Sequence, residues 1–237
     1  MDSNAVEYIR QTMMEYLRRE FVDNTDSASE ENCKYSYIYI YIYISPRTKI
    51  LKGSSKLTYT FLLLLIVIRN KAAQSLTLLF AHVYPNIWPT FFKDIMELVQ
   101  TPSGSSSHEK AADFFLRLCL SIDEEVARLD IPRNREEVVR NTAIKDNMRL
   151  GDIQLLASFW FELLQEFRIK NPTIGQLALK NIGAYVSWMD ISLVMNDQVM
   201  SALYELLNDV NLRMAAAECL ADVSLLLSPV LFEGNGK

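Results

Sequence analysis

The stretch IQLLASFWFELLQEFRIKNPTIGQLALKNIGAYVSW, residues Ile153 to Trp188, decides the fold class. Its apolar residues recur at intervals of three and four, which is the spacing of one face of an α-helix. Near its middle, Asn171 and Pro172 mark a helix start, because Asn is a common N-cap and Pro is tolerated at the first helical position. The stretch therefore predicts two consecutive helices joined by a very short turn.

The same helical spacing continues outward in both directions and predicts pairs of helices. The pairs fall near 60–83 with 87–100, 109–129 with 134–148, 152–168 with 172–189, and 192–208 with 211–228. A two-helix unit that recurs about every 40 residues is typical of HEAT and armadillo repeats. With only 7 Gly and 7 Pro, the chain is also poor in the turn residues of an all-β fold. We predict an all-α fold, part of a HEAT/armadillo-type α-solenoid (an α-α superhelix).

Local signals refine these helices. Asn134 and Glu137 have capping-box spacing, and Asn211 precedes the Ala-rich start of the last helix. The Ser-rich stretch 101–110 is predicted to be a flexible linker between helices. The three tryptophans lie on apolar faces and are predicted to be core residues, with base stacking as the alternative: Trp88, Trp160 and Trp188.

Four regions are predicted along the chain. Residues 1–22 form an N-terminal helix, 23–59 a disordered low-complexity insert, 60–228 the helical repeats, and 229–237 a disordered tail. The insert contains YSYIYIYIYIS, Tyr35 to Ser45. A repeated TA dinucleotide read in frame encodes alternating Tyr and Ile, so we expect residues 33–60 to be a retained intron in a mis-spliced gene model. A β-hairpin arm is the structural alternative.

The apolar segments and the cysteines indicate a protein without membrane insertion in a reducing compartment. The longest apolar run, LLLLIVI, is far shorter than the roughly 20 residues that span a bilayer. Its boundaries are Leu62 and Ile68, and the N-terminus lacks the pattern of a signal peptide. Cys33, Cys119 and Cys219 show no CxxC spacing, so we expect free thiols, two of them packed as small hydrophobic residues.

Motifs for catalysis are missing from the sequence. Its two histidines are His82, expected to be packed or at a helix edge, and His108, expected to be solvated in the linker. Neither has metal-ligand spacing. The sequence contains no Gly-rich phosphate loop and no motif that places a nucleophile beside a base. We predict no enzymatic activity, no cofactor and no metal.

A basic segment between Pro132 and Asp152 is the main candidate for binding. Lys145 and Arg149 are four residues apart and share a helix face, whereas Arg140 points away from it. The segment is either a solvated face, a strip that contacts nucleic-acid phosphates, or a surface for an acidic protein patch. The net charge of −5 argues mildly against a stand-alone nucleic-acid binder.

Four segments resemble a known family. VIRNKAAQSLTLLF from Val67 and WPTFFKDI from Trp88 are similar to the early repeats of exportins in the importin-β (karyopherin) superfamily. RNTAIKDNMR from Arg140 and GAYVSWMDISLVMND from Gly183 resemble, more specifically, the exportin-T family of tRNA exportins. The four segments lie between Val67 and Asp197, and the resemblance as a whole covers roughly residues 66–225.

The resemblance implies a nuclear export receptor, of which this chain is a fragment because the family is much longer. Such receptors bind tRNA together with Ran in its GTP form, meet nuclear pore proteins, and shuttle between nucleus and cytoplasm. We expect tRNA or Ran contacts at Arg140, Lys145 and Arg149, and secondarily at Arg69 and Lys71. The alternative is a HEAT-repeat transport receptor or scaffold for a protein cargo.

Overall fold

A computed structural model describes residues 3–21, 54–100, 105–128 and 130–233. These residues form nine α-helices and one short 3-10 helix, Ile191–Leu193, with no strand among them. The helices are α1 Ser3–Phe21, α2 Ser54–Val83, α3 Phe91–Gln100, α4 Ser105–Val126, α5 Arg135–Arg149, α6 Asp152–Lys170, α7 Pro172–Val186, α8 Asp197–Leu206 and α9 Arg213–Glu233.

The helices pack in two layers. In the first layer α4 lies against α2, α7 against α4, and α9 against α7. In the second layer α3, α6 and α8 each pack against the first-layer helix that follows in sequence, namely α4, α7 and α9. Helix α5 lies between α4 and α6, and α1 rests on α3 and α4. This repeated arrangement confirms the predicted all-α fold of the HEAT type.

The predicted core residues are buried. The three tryptophans are core residues, as predicted: the exposed fractions of Trp88, Trp160 and Trp188 are 1%, 0% and 9%. Their rings are therefore not available to stack on the bases of a nucleic acid. The rings of Trp160, Tyr185 and Trp188 pack in series at tilted angles, with centroids 4.6 and 5.0 Å apart. The Tyr185 hydroxyl donates to the Cys119 carbonyl at 2.8 Å and so ties α7 to α4.

The helix starts follow the sequence signals in part. Asn134 caps α5, and its reciprocal hydrogen bonds with Glu137 complete the predicted capping box. Asn171 precedes α7 with Pro172 at its start, but its side chain forms no cap and donates instead to Glu109 of α4. The amides of Asn211 and Leu212 donate to Asp209, so this aspartate takes the role expected of Asn211.

Several helix boundaries differ from the predictions. Helix α2 begins at Ser54, six residues before the expected 60, and α9 continues to Glu233. Trp88 lies in the turn before α3 and not within the helix. The predicted linker 101–110 is helical from Ser105, where α4 begins. The Tyr/Ile run, Cys33 and the last four residues lie outside the described part of the chain.

Helix α2 carries the longest apolar run of the sequence. Over the described ranges, no helix has the length and apolar character that a membrane crossing requires.

Candidate functional site

The three main basic candidates lie around the C-terminal end of α4. All three belong to α5, which packs against both α4 and α6. Helix α5 buries only a narrow stripe consisting of Asn141, Ile144 and Met148. Most of its remaining surface, including several charged side chains, therefore faces solvent or the end of α4.

Arg140 is held by a carboxylate of α4. Its Nη2 donates to Glu125 Oε1 at 2.8 Å, and Arg133 Nη1 lies 3.1 Å from the other oxygen of the same carboxylate. Asn141 Nδ2 also donates to the Glu125 backbone carbonyl at 2.7 Å. Because one carboxylate holds two guanidinium groups, Arg140 and Arg133 serve first to fix α5 and its preceding loop on α4.

Arg149 connects the two motif segments in space. Its Nε donates to the Trp188 carbonyl at 2.8 Å, and its guanidinium carbon lies 5.8 Å from the centroid of the Trp188 ring. Its Nη1 also donates to Asp146 at 2.8 Å. The indole Nε1 of Trp188 in turn donates to Asp123 of α4 at 3.0 Å. Arg149 is still 44% exposed, so part of its guanidinium remains open to a ligand.

Lys145 is the most available of the three cations. It is half-buried and makes no hydrogen bond or ion pair with another residue in the described ranges. The positive charge of Lys145 acts on Asp123 of α4. Burial raises the pKa of Asp123 to about 6, although the Trp188 hydrogen bond and the charges of Arg128 and Lys145 lower it. As predicted, Arg140 turns away from Lys145 and Arg149: it reaches Glu125, whereas Arg149 reaches Trp188.

Arg69 and Lys71 form a second group, on α2. Arg69 Nη1 lies 2.6 Å from Asp113 Oδ2, and Arg117 Nε lies 3.0 Å from the same oxygen. Lys71 is exposed and, within the part of the chain that the structure describes, donates only to Gln74, at 3.0 Å. Asp113 and Glu125 are separated along α4 by about 18 Å at 1.5 Å per residue. The structure therefore places the candidates in two groups along α4 and does not bring all five together.

The sequence interpretation missed Arg117 and the anchoring carboxylates Asp113 and Glu125. The i,i+4 spacing of Asp113 and Arg117 is a signal that could have identified the first pair. The contacts of Asp113 with Arg69 and of Glu125 with Arg133 and Arg140 join different elements. No local spacing predicts contacts of that kind.

His108 is not solvated as predicted. It lies in the first turns of α4, where Nδ1 is 2.8 Å from the Val99 carbonyl and Nε2 is 3.1 Å from Glu166. Its ring packs against Phe167, with centroids 5.2 Å apart. His108 therefore joins the end of α3 and the last turns of α6. His82 is exposed in the last turn of α2.

Nothing in the described ranges forms a metal-binding cluster of His, Cys, Asp and Glu. Cys119 and Cys219 are buried free thiols, which confirms their predicted packing. Burial raises the pKa of Cys219 to about 12, and it raises that of Cys119 further. Thiols with such pKa values remain protonated near neutral pH and make poor nucleophiles.

Comparison with known proteins gives a consistent result. A family model described as Exportin 1-like protein matches residues 66–220, the segment from α2 into α9. Exportin-T from Homo sapiens is 38% identical over 156 residues, covering 66% of this chain and 16% of the relative. Exportin-T from Danio rerio is 39% identical over 157 residues, with the same coverage.

A fungal relative matches a slightly shorter segment. Exportin-T from Aspergillus niger is 39% identical over 140 residues, covering 58% of this chain and 14% of the relative. The matches therefore span only 14% to 16% of the length of these three relatives.

Proposed function

The chain belongs to the Exportin 1-like protein family, and from this premise we propose that it is part of a nuclear export receptor that carries tRNA. In the proposed function it binds tRNA together with Ran in its GTP form, meets nuclear pore proteins, and moves between nucleus and cytoplasm. The exportin family consists of transport receptors and not of enzymes. The supporting observation is the junction of Arg149, Trp188 and Asp123, which joins the two segments that resemble tRNA exportins.

The proposed contacts follow from which cations the fold leaves available. Lys145 makes no hydrogen bond or ion pair within the described ranges, and Arg149, four residues further on, is partly exposed. Both can contact phosphates through charge and hydrogen bonds, which position an RNA without reading its sequence. Arg140 and Arg69 have a supporting role, because Glu125 and Asp113 already hold them. Lys71 is a further exposed cation, on α2.

A local strip of cations reconciles tRNA binding with the acidic chain. The net charge of −5 is a property of the whole sequence. Salt screens the interaction between exposed charges beyond about one Debye length, 8 to 10 Å near physiological salt, so a phosphate responds mainly to the charges nearest to it. Recognition of a folded RNA by shape and backbone needs only a few well-placed cations. The acidic balance is therefore compatible with the proposed function.

Lys145→Ala tests the proposal. In the presence of Ran-GTP, we expect the affinity for tRNA to fall about fivefold, because one phosphate contact is lost, and the slope of log K against log salt to become shallower by about 1. The loss should be similar for tRNAs of different sequence, since phosphates carry no sequence information.

Lys93→Ala is the matched control, because Lys93 is an exposed lysine of α3 in a different layer. It should leave both the affinity and the salt slope nearly unchanged. Equal losses for the two variants, or no loss for either, would contradict the assignment of Lys145.

A further inference from the structure

An open groove of about 640 Å³ lies between α6 and α8. Seven residues line it: Phe161 and Gln165 of α6, and Asp197, Gln198, Ser201, Ala202 and Glu205 of α8. Its volume falls within the roughly 300–1,000 Å³ of ordinary ligand pockets. The proposed tRNA contacts lie on other helices, α5 and α2, so that function does not use this groove.

The groove has an apolar floor and polar walls. Ala202 is buried and Phe161 half-buried at the floor. Asp197, Gln198 and Ser201 are exposed, and none of them forms a side-chain hydrogen bond or ion pair with another residue of the described ranges. Gln165, on the opposite wall, is also exposed, and its side chain forms no hydrogen bond with another described residue. The fold therefore leaves the polar groups of this groove available.

Among the described residues, the one ion pair at the groove is weak. Glu205 lies 3.5 Å from Arg168 of α6, and the Glu205 side chain is 73% exposed. Ion pairs with this exposure contribute little, so a ligand cation can compete with Arg168 for the carboxylate. Asp197 and Glu205 then present two negative charges above an apolar floor, and this combination repels phosphates.

We infer that the α6–α8 groove binds a lysine- or arginine-bearing segment of a protein partner and not the backbone of an RNA. A long basic side chain fits both parts of the groove. Its aliphatic stem can cover Phe161 and Ala202, while its charged head reaches Asp197 or Glu205. The inference goes beyond tRNA carriage and does not depend on Lys145 or Arg149.

The experiment measures binding of a fluorescein-labelled peptide of alternating alanine and lysine, with an alanine–glutamine peptide as the neutral probe. The double variant Asp197→Asn/Glu205→Gln should bind the lysine peptide about fivefold more weakly, which corresponds to the loss of two exposed charge contacts. Ser201→Trp should also weaken binding, because the indole fills the groove without changing its charge. The neutral peptide should bind weakly to every variant.

The matched control is Glu218→Gln/Asp222→Asn, which also removes two negative charges, from exposed positions of α9. It should leave peptide binding within about twofold, and circular dichroism should show that all variants remain helical. If the control weakens binding as much as the groove variant, the peptide responds only to net charge and the inference is wrong. The inference is equally wrong if the Ser201→Trp variant binds the lysine peptide as tightly as the wild type does. It is also wrong if tRNA displaces the peptide and the Asp197→Asn/Glu205→Gln variant binds tRNA more weakly.

Discussion

At the scale of single residues, Asp113 and Glu125 of α4 determine which surface cations are available. Each carboxylate holds two guanidinium groups, from Arg69 with Arg117 and from Arg133 with Arg140. The planar fork of arginine suits this use, because it can donate to a carboxylate and to a second acceptor at once. Neither carboxylate holds a lysine, and within the described ranges Lys145 makes no ion pair, so it is left for a ligand.

Glu125→Ala should destabilise the fold. The substitution leaves Arg133 and Arg140 without their common carboxylate, and their side chains are only 12% and 26% exposed. We expect the free energy of unfolding to fall by about 2 kcal/mol, measured by urea denaturation. Glu124→Ala is the control, because Glu124 is 58% exposed and should cost under about 0.5 kcal/mol. Equal costs would contradict the anchoring role.

Asp123→Asn should change the pH dependence of stability. Burial raises the pKa of Asp123 from 3.8 to about 6, so the folded state binds a proton that the unfolded state has released between these values. The contribution of Asp123 to the free energy of unfolding of the wild type is therefore highest below about pH 4, and it falls as the pH rises to about 6. Asparagine avoids this loss and can still accept the Trp188 hydrogen bond.

The stability of the Asp123→Asn variant relative to wild type should therefore increase by about 2 kcal/mol between pH 4 and pH 7. Parallel denaturation curves across this range measure the difference and cancel the titration of the other carboxylates. A constant difference over the whole range would show that Asp123 is not a desolvated carboxylate in the fold.

At the scale of elements, α7 carries most of the packing. Ten of its fifteen residues are buried, and it contacts α4, α6 and α9. Two glycines of α7 face α9 and the turn before it: a Cβ at Gly175 would lie 3.2 Å from Leu212, which directly precedes α9, and one at Gly183 would lie 2.6 Å from the Asp222 carboxylate of α9. Their small size lets α9 pack closely on α7 and continue the first layer.

Gly183→Leu should cost about 2 kcal/mol of unfolding free energy, because the added side chain meets α9 near Asp222 and the Cys219 backbone. Gly183→Ala should be close to neutral, since the helix propensity gained, up to about 1 kcal/mol, offsets a rotation of the exposed Asp222 side chain. Thermal unfolding measures both. Gly151→Leu is the control, because nothing lies within 4 Å of that Cβ position. A stable Gly183→Leu variant would mean that α7 and α9 are farther apart than described.

At the scale of the whole molecule, helical periodicity was sufficient to predict the repeat fold. The stripes of α6 and α7 and the capping box of α5 are local signals, and each was found where predicted. The resemblance to the exportin-T family is confirmed by relatives that are 38% to 39% identical. The predicted region boundaries in the insert and tail stay predictions, as do the five site residues.

The remaining features could not be predicted because they depend on contacts between distant residues. Arg69 meets Asp113, and His108 meets Glu166, across gaps of 44 and 58 positions. His108 was assigned to a solvated linker because its neighbours are serines, whereas packing against Phe167 extends the helix through it. Whether a basic residue is available to a ligand likewise depends on its contacts. Sequence spacing does not show that Glu125 holds Arg140, or that Lys145 makes no ion pair within the described ranges.

We propose that these repeats act as the tRNA-carrying segment of an export receptor. The most direct test is a chimaera of human Exportin-T in which residues 66–220 of this chain replace the matching segment. Retention of tRNA on the immobilised chimaera is measured with Ran-GTP, with Ran-GDP and without Ran, beside the unaltered human protein. We expect strong retention of tRNA with Ran-GTP only. A folded chimaera whose tRNA retention is absent, or equal under the three conditions, would contradict it.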